Sequence, residues 1–157
     1  MGREGCAVLR FNHMELTVQR GFVAAHGADV VRFFTTIFGF RQGAFPGLET
    51  PHLILTTDEE ASQFLFICES DTPSSAPGDD HLGFHLDTAA DIDACLAACR
   101  HWQEQEGGVE IRVLDDLDLE QTLTHAFYVR YRLPIWFDIQ HIAAKPGFEP
   151  ARRWRFG

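Results

Sequence analysis

The sequence predicts an α+β domain that contains the same element order twice: a strand, a helix and then three strands. Three observations lead to this prediction: a strictly alternating stretch at residues 80–87 (DHLGFHLD), two segments with apolar residues at helical spacing, and a linker near the middle of the chain. Alternation with a period of two is typical of a strand, and recurrence every three or four residues is typical of an amphipathic helix. Because these signals follow the same order on both sides of the linker, we infer an internal repeat.

The first copy begins with a strand at residues 9–18, in which His13 and Glu15 share one face. A loop is predicted at residues 19–27. A helix is predicted next, because four apolar residues recur at helical spacing: Val30, Phe33, Phe34 and Ile37. Gly39 is typical of the residue that ends such a helix. The remaining strands are a short one beginning at Phe40 and two longer ones at residues 52–56 and 63–68.

Residues 70–79 are predicted to be a linker, because they contain two prolines and three serines. The second copy starts with the alternating strand and continues with a helix at residues 89–106, which the glycines 107 and 108 end. Four side chains are expected to form the buried face of that helix: Ile92, Cys95, Leu96 and Cys99. Strands are predicted at residues 109–114, 125–131 and 135–142. The whole chain is thus expected to be one domain, with modules at 9–69 and 80–142 and a tail at 143–157.

Composition excludes several classes of function. The formal net charge of -10 argues against a nucleic-acid partner, which would require a basic patch. No apolar run approaches the length of a transmembrane helix, and the first residues lack the apolar core of a signal peptide. We therefore expect a cytoplasmic protein that does not contact membranes. The four cysteines are predicted to be reduced thiols: Cys6, Cys68, Cys95 and Cys99.

The alternating strand carries the first candidate site. His81, Gly83 and His85 share its polar face, so two imidazoles point the same way with a small residue between them. Neutral imidazoles are common ligands of transition metals. The alternative interpretation is a strand with one solvated face.

Four short motifs resemble those of the vicinal oxygen chelate superfamily, which includes glyoxalases, bleomycin- and fosfomycin-resistance proteins and extradiol dioxygenases. The motif H-x-x-L-x-V resembles His13–Val18 (HMELTV), and the helix ending F-Y/F-x-x-x-L/F-G-F resembles Phe33–Phe40 (FFTTIFGF). The motif H-x-x-F-x-V resembles His81–Leu86 (HLGFHL), and G-N-x-I-E-L resembles Pro134–Ile139 (PIWFDI). The resemblance implies two βαβββ modules that form a cupped, half-open mixed barrel with the helices outside.

The resemblance also implies metal ligands at His13, His81 and Asp138. Two imidazoles and one carboxylate would form a facial triad for a divalent ion, with Fe²⁺ favoured and Mn²⁺, Zn²⁺ or Ni²⁺ as alternatives. Each of the three residues lies on the polar face of an otherwise apolar strand, which supports the assignment independently. Glu15, on the face of His13, is the alternative carboxylate.

The chain departs from the family pattern at several positions. Phe66 stands where the glyoxalase branch has a fourth ligand, a glutamate, and this difference favours the three-ligand dioxygenase pattern. Asp138 replaces the usual glutamate and is shorter by one methylene. The turn before the last strand reads Arg132-Leu133-Pro134 where the family has glycine and asparagine, and the loop at 19–27 is unusually long.

Acid, base or oxyanion-donor roles are predicted for His125, Tyr128 and His85, with Tyr131 as an alternative tyrosine. Phe64, Phe66 and Phe127 are candidates to line an apolar substrate pocket. The resemblance implies a metal-dependent dioxygenase, lyase or isomerase acting on a small substrate with two chelating oxygens. The alternative is a metal-free protein that sequesters a small molecule, as the bleomycin-resistance branch does. A homodimer is expected, and the modules could pair within one chain or be exchanged between two.

Overall fold

The computed structural model describes residues 11–148, so Cys6, the start of the first predicted strand and most of the predicted tail lie outside the described residues. The chain divides into two compact units, which we call the N-terminal unit and the C-terminal unit. The division falls between Ser74 and Ser75, inside the segment predicted to be a linker. None of the described helices combines the length and apolar character needed to cross a membrane.

The N-terminal unit contains one helix and a four-stranded mixed sheet. Its elements are β1 (His13–Val18), α1 (Phe22–Phe38), β2 (Arg41–Gly43), β3 (His52–Thr56) and β4 (Phe64–Glu69). The strand order is β1-β4-β3-β2; β1 and β4 are parallel, and the other neighbours are antiparallel. Phe33, Phe34 and Val30 of α1 are buried, as their helical spacing predicts.

Helix α1 begins earlier than the sequence predicts. Residues 22–27, assigned to a loop, form its first turns, so that prediction is wrong. The start of the helix is fixed by Gly21, whose φ of 83° suits glycine, and by Glu69, whose carboxylate accepts a hydrogen bond of 2.9 Å from the backbone N–H of Val23. Gly27 lies against Leu53, and an added Cβ there would meet that side chain at 3.2 Å.

The C-terminal unit repeats this arrangement with one small addition. Its elements are β5 (His81–His85), α2 (Ala89–Glu106), β6 (Val109–Val113), β7 (Leu117–Asp118), β8 (Thr122–Tyr131) and β9 (Trp136–Ala144). The strand order is β5-β9-β8-β6, with β5 and β9 parallel, and the short unpredicted strand β7 pairs with β8. Helix α2 starts where predicted, because Thr88 and Asp91 form a capping box. The α+β class with two mixed sheets is therefore confirmed.

The sheet of the C-terminal unit has a helix face and an open face. On the helix face, Trp102 of α2 contacts Tyr131 edge to face, and Phe127 is fully buried. Cys95 and Cys99 are free, buried thiols in this core, as predicted. Strand alternation turns the neighbours of these residues, Tyr128 among them, to the opposite side. We call that side the open face.

Candidate functional site

Three strands bring polar side chains together on the open face of the C-terminal unit. Asp138 of β9 lies opposite Gly83 of β5 on one side and opposite Tyr128 of β8 on the other. His81 lies opposite Trp136, which is two residues before Asp138 on the same face of β9. Since residues paired across a sheet share a face, Asp138 stands in a row with the glycine and the tyrosine, beside the imidazole.

His81 and Asp138 form a close pair. The Nε2 atom of His81 lies 3.7 Å from Oδ2 of Asp138, and the aspartate is only 7% exposed. The second oxygen, Oδ1, is buried and accepts no hydrogen bond from the described residues. Burial raises the pKa of Asp138, and the nearby His81 lowers it in part. A buried carboxylate with a bare oxygen is costly unless a cation or donor satisfies it.

The orientation of His81 is fixed through its other nitrogen. Nδ1 lies 2.8 Å from the backbone oxygen of Asp79 and 3.3 Å from the hydroxyl of Tyr128. Because a carbonyl oxygen only accepts hydrogen bonds, we assign the proton to Nδ1. Nε2 then presents a lone pair towards Asp138. Hydrogen bonds of this kind commonly fix the tautomer of a metal-binding histidine.

These residues fit a divalent metal ion. Two ligands each about 2.1 Å from one ion can lie no more than about 4.2 Å apart, and the separation of 3.7 Å between Nε2 and Oδ2 is within that limit. The side chain of Gln140 occupies the space beside Gly83, since an added Cβ there would lie 2.9 Å from Nε2 of Gln140. Within residues 11–148, however, no three His, Cys, Asp or Glu side chains converge as a metal-binding group. The C-terminal unit thus brings together two of the three predicted ligands, His81 and Asp138.

The remaining predicted ligand, His13, belongs to the N-terminal unit, and the complete triad stays a prediction. Its ring is stacked on Phe64 with centroids 4.8 Å apart, and Nδ1 lies 2.8 Å from Oδ1 of Asn12. The alternative carboxylate, Glu15, accepts a hydrogen bond from the thiol of Cys68 at 3.3 Å. Burial raises the pKa of that thiol, and the bond to Glu15 adds to the increase.

Phe66 occupies in the N-terminal unit the register position that Asp138 occupies in the C-terminal unit. It lies opposite Glu15, the third residue of β1, as Asp138 lies opposite Gly83, the third residue of β5. Phe45 contacts Phe66 and Phe64 edge to face. Two of the three predicted pocket phenylalanines thus belong to an aromatic cluster. The third, Phe127, is buried on the helix face of the other unit, so that part of the prediction is wrong.

The three predicted acid–base residues are placed differently. The hydroxyl of Tyr128 lies 3.3 Å from Nδ1 of His81. His85 is on the same face but at the end of β5, where its Nε2 accepts a hydrogen bond of 3.4 Å from the backbone N–H of Ile142. Tyr131, the alternative tyrosine, is buried against α2.

His125 lies on the helix face, away from the row that contains Asp138. Its Nδ1 is 2.6 Å from a carboxylate oxygen of Asp116, and its Nε2 is 3.2 Å from one of Asp93. The two hydrogen-bonded carboxylates raise the pKa of His125, the bond to Asp116 most strongly. The imidazole therefore ties the start of α2 to the segment before β7.

This arrangement predicts a pH-dependent contribution to stability. A group whose pKa is raised by folding stabilises the fold fully below its unfolded pKa, about 6.5 for histidine, and loses this contribution as pH rises through the folded pKa. Since both carboxylates are largely exposed, we expect a loss of only about 0.5–1 kcal/mol. Urea unfolding of wild type and His125→Asn at about pH 6 and about pH 9 measures it, with the exposed His101→Asn as control. Equal pH dependence in wild type and His125→Asn would contradict the prediction.

Two arginines that no sequence motif indicated also lie on the open face. The guanidinium carbons of Arg112 and Arg130 each lie 4.4 Å from the centroid of a Trp136 ring. Arg112 pairs with the carboxylate of Asp79, and Arg130 makes two hydrogen bonds with Glu110. Alternation along β8 provided a signal for Arg130, which is two residues from Tyr128 and shares its face.

Comparison with known proteins supports the fold. No family model and no curated protein matches the chain. Among solved structures, the fosfomycin resistance protein FosX from Listeria monocytogenes is similar over 93% of this chain and 100% of its own, with 15% identity and a TM-score of 0.61. A Bacillus anthracis protein described as a putative glyoxalase family protein is similar over 88% of this chain and 99% of its own, with 13% identity and a TM-score of 0.60. An integron cassette protein from V. cholerae is similar over 87% of this chain and 97% of its own, with 16% identity and a TM-score of 0.54.

At these identities the similarities show that the chain shares the fold of these proteins. Another structure of FosX, 14% identical to this chain with a TM-score of 0.54, is a complex with Mn(II) and 1S,2S-dihydroxypropylphosphonic acid. That ligand carries hydroxyl groups on adjacent carbons.

Proposed function

We propose that this chain is a metal-dependent enzyme of the vicinal oxygen chelate type, acting on a small substrate with two chelating oxygens. The observation that carries the proposal is the pair formed by His81 and Asp138: Nε2 of His81 lies 3.7 Å from Oδ2 of the carboxylate, whose other oxygen, Oδ1, is buried and has no hydrogen-bond partner among the described residues. Without a cation, two acceptors at this distance repel each other. The Mn(II) and the vicinal diol bound to FosX support the same chemistry.

His81 and Asp138 would hold the ion, with His13 as the third ligand that the sequence motifs imply. When bound, such an ion acts as a Lewis acid that polarises a substrate oxygen. Fe²⁺ with dioxygenase chemistry, and lyase or isomerase chemistry with Mn²⁺, Zn²⁺ or Ni²⁺, are the two versions of the proposal.

Tyr128 is suited to donate a hydrogen bond to the substrate. Burial raises the pKa of its phenol, and the carboxylate of Asp138 raises it further, so the O–H stays protonated at neutral pH. A neutral phenol beside the ligands can donate to an oxygen that gains negative charge during the reaction. His85, on the same face, and His125, on the helix face, remain predicted acid–base residues with a less direct geometry.

The competing proposal is a metal-free binding protein for an aromatic molecule, which the cluster of Phe45, Phe64 and Phe66 favours. Elemental analysis of protein prepared without oxygen, followed by calorimetric titration with Mn(II) and Fe(II), separates the two. Stoichiometric binding that His81→Ala abolishes and His52→Ala preserves would support the enzyme. An affinity for His81→Ala equal to that of wild type would contradict it.

A mixing experiment tests whether His13 and His81 act in one chain or across a homodimer. Neither His13→Ala nor His81→Ala is expected to bind metal alone. If two chains share each site, unfolding and refolding the two variants together restores one intact site per mixed dimer. If each chain builds its own site, the mixture binds nothing.

Gly83→Ala is expected to lower the affinity for Mn(II) by about tenfold, which is the lower end of the range for changes to residues around metal ligands. The added Cβ must displace Gln140 beside Asp138. Gly43→Ala is a matched control, because its Cβ would be equally close to a neighbour, 2.9 Å from Ile54, on the other unit's sheet. Calorimetric titration of both variants measures the effect. Equal affinities would show that the space at Gly83 is not used by the ion.

A further inference from the structure

A chain of contacts crosses the open face of the C-terminal unit and ends at His81. Arg112 is on β6, at the opposite edge of the sheet from β5, and its register position is in the row of Tyr128 and Asp138. The guanidinium passes over Trp136 and pairs with the carboxylate of Asp79. The backbone oxygen of Asp79 in turn accepts the hydrogen bond from Nδ1 of His81.

Asp79 needs this support because it lies outside the strand ladder. It precedes β5 in the turn that contains Pro77 and Gly78, whose φ is 66°. Its side chain is 70% exposed. An exposed turn residue has no packed core to hold its carbonyl in one direction. The next peptide N–H, that of Asp80, makes a long hydrogen bond of 3.5 Å to the backbone oxygen of Pro77, and the ion pair with Arg112 adds a second restraint.

Two groups compete for Nδ1 of His81. The carbonyl of Asp79 accepts a proton from it at 2.8 Å, whereas the hydroxyl of Tyr128, at 3.3 Å, can donate one to it. In the first arrangement Nε2 has the lone pair that a metal requires. In the second, the proton moves to Nε2 and points towards Asp138, where it blocks coordination. The Asp79 carbonyl, 2.8 Å from Nδ1, favours the first arrangement, and the Asp138 carboxylate, 3.7 Å from Nε2, favours the second, so loss of the contact with Asp79 shifts the balance towards the second.

We propose that Arg112 is a positioning residue which, through Asp79, keeps His81 in its metal-binding tautomer. The relevance to catalysis rests on the function proposed above. The effect on the tautomer does not, because it belongs to the metal-free protein. Arg112 would act on the tautomer of His81 without contacting the ion or the substrate.

Arg130 provides a matched control. Its guanidinium lies at the same 4.4 Å from Trp136 and also pairs with a carboxylate, but that carboxylate belongs to Glu110 and not to Asp79. Arg130→Ala therefore removes an equivalent ring contact and ion pair without releasing Asp79. A second variant, Asp79→Asn, weakens the ion pair and keeps the guanidinium of Arg112 in place over the indole.

The experiment is nitrogen-15 NMR of the histidine rings in the metal-free protein at about pH 8, where an ordinary histidine is neutral. We expect His81 to carry its proton on Nδ1 in wild type and Arg130→Ala, and to shift towards the Nε2 tautomer in Arg112→Ala and Asp79→Asn. Titration with Zn(II) should show an affinity loss of about 10- to 100-fold in the latter two variants. Arg112→Lys should partly restore both measurements.

An unchanged tautomer in Arg112→Ala and Asp79→Asn, or an equal change in Arg130→Ala, would overturn the inference. Its failure differs from failure of the proposed function. If wild type binds no metal, the proposed function fails, while the difference in tautomer between wild type and Arg112→Ala still tests the role of the arginine. If wild type binds metal and the tautomer does not respond, only the positioning role fails.

Discussion

Asp138→Asn is expected to lower the affinity for Mn(II) by more than about a hundredfold, since even outer-shell partners of a metal site are each worth 10- to 100-fold. The same change should leave the metal-free protein as stable as wild type or make it more stable. Burial raises the pKa of this carboxyl, and one of its oxygens has no hydrogen-bond partner among the described residues. The negative charge therefore lowers the stability of the metal-free fold. Calorimetric titration and thermal unfolding without metal measure the two effects.

Glu15→Gln is the matched comparison, because it is also nearly isosteric and removes one charge. Glu15 accepts a hydrogen bond from Cys68, and we expect the amide to change metal affinity little. A larger loss for Glu15→Gln than for Asp138→Asn would exchange the two assignments. Equally small losses would indicate that neither carboxylate holds a metal. A large drop in the metal-free stability of Asp138→Asn would point to a structural role for the aspartate.

Phe127→Ala is expected to reduce the free energy of unfolding of the C-terminal unit by about 3–5 kcal/mol, the usual cost of truncating a buried phenylalanine. The ring is fully buried on the helix face, between register partners Val113 and Ile139. Urea denaturation followed by tryptophan fluorescence is suitable, because both tryptophans among the described residues, Trp102 and Trp136, belong to this unit.

Phe148→Ala controls for the loss of an exposed ring. Its side chain is 43% exposed, and its truncation should cost less than about 0.5 kcal/mol. A cost below about 1 kcal/mol for Phe127→Ala would mean that the ring is not part of a tightly packed core. The assignment of the helix face would then be wrong.

The strands and their order were predictable because alternation and turn signals are local. The predicted bounds of β3 and α2 are those observed, and β1, β4, β5 and β9 were each located to within a few residues. The missed start of α1 has a physical cause. Its N-terminus is held by Glu69, a residue 46 positions away in the sequence, which no local pattern reveals.

The candidate site was predictable in part. The pairing of His81 with Asp138 follows from motif positions on two strands that prove to be parallel neighbours. Alternation shows that His125 and Tyr128, three residues apart on one strand, cannot share a face. It does not show which of the two shares the face of Asp138. Both faces of β8 carry aromatic side chains, so the sequence could not indicate which face α2 covers. The role of Asp79 depends on a backbone carbonyl, which sequence does not describe.

The equal register of the two units also makes the N-terminal unit a scaffold for design. Phe66→Asp would place a carboxylate relative to His13 as Asp138 is placed relative to His81. Glu15→Gly would recreate the glycine opposite that carboxylate, as Gly83 lies opposite Asp138. A backbone that already presents these positions needs only side-chain exchange to acquire a donor pair, with no new loop or strand. One chain thus contains a pair of donors in its C-terminal unit and the same register in its N-terminal unit, where Phe66 stands in place of the carboxylate.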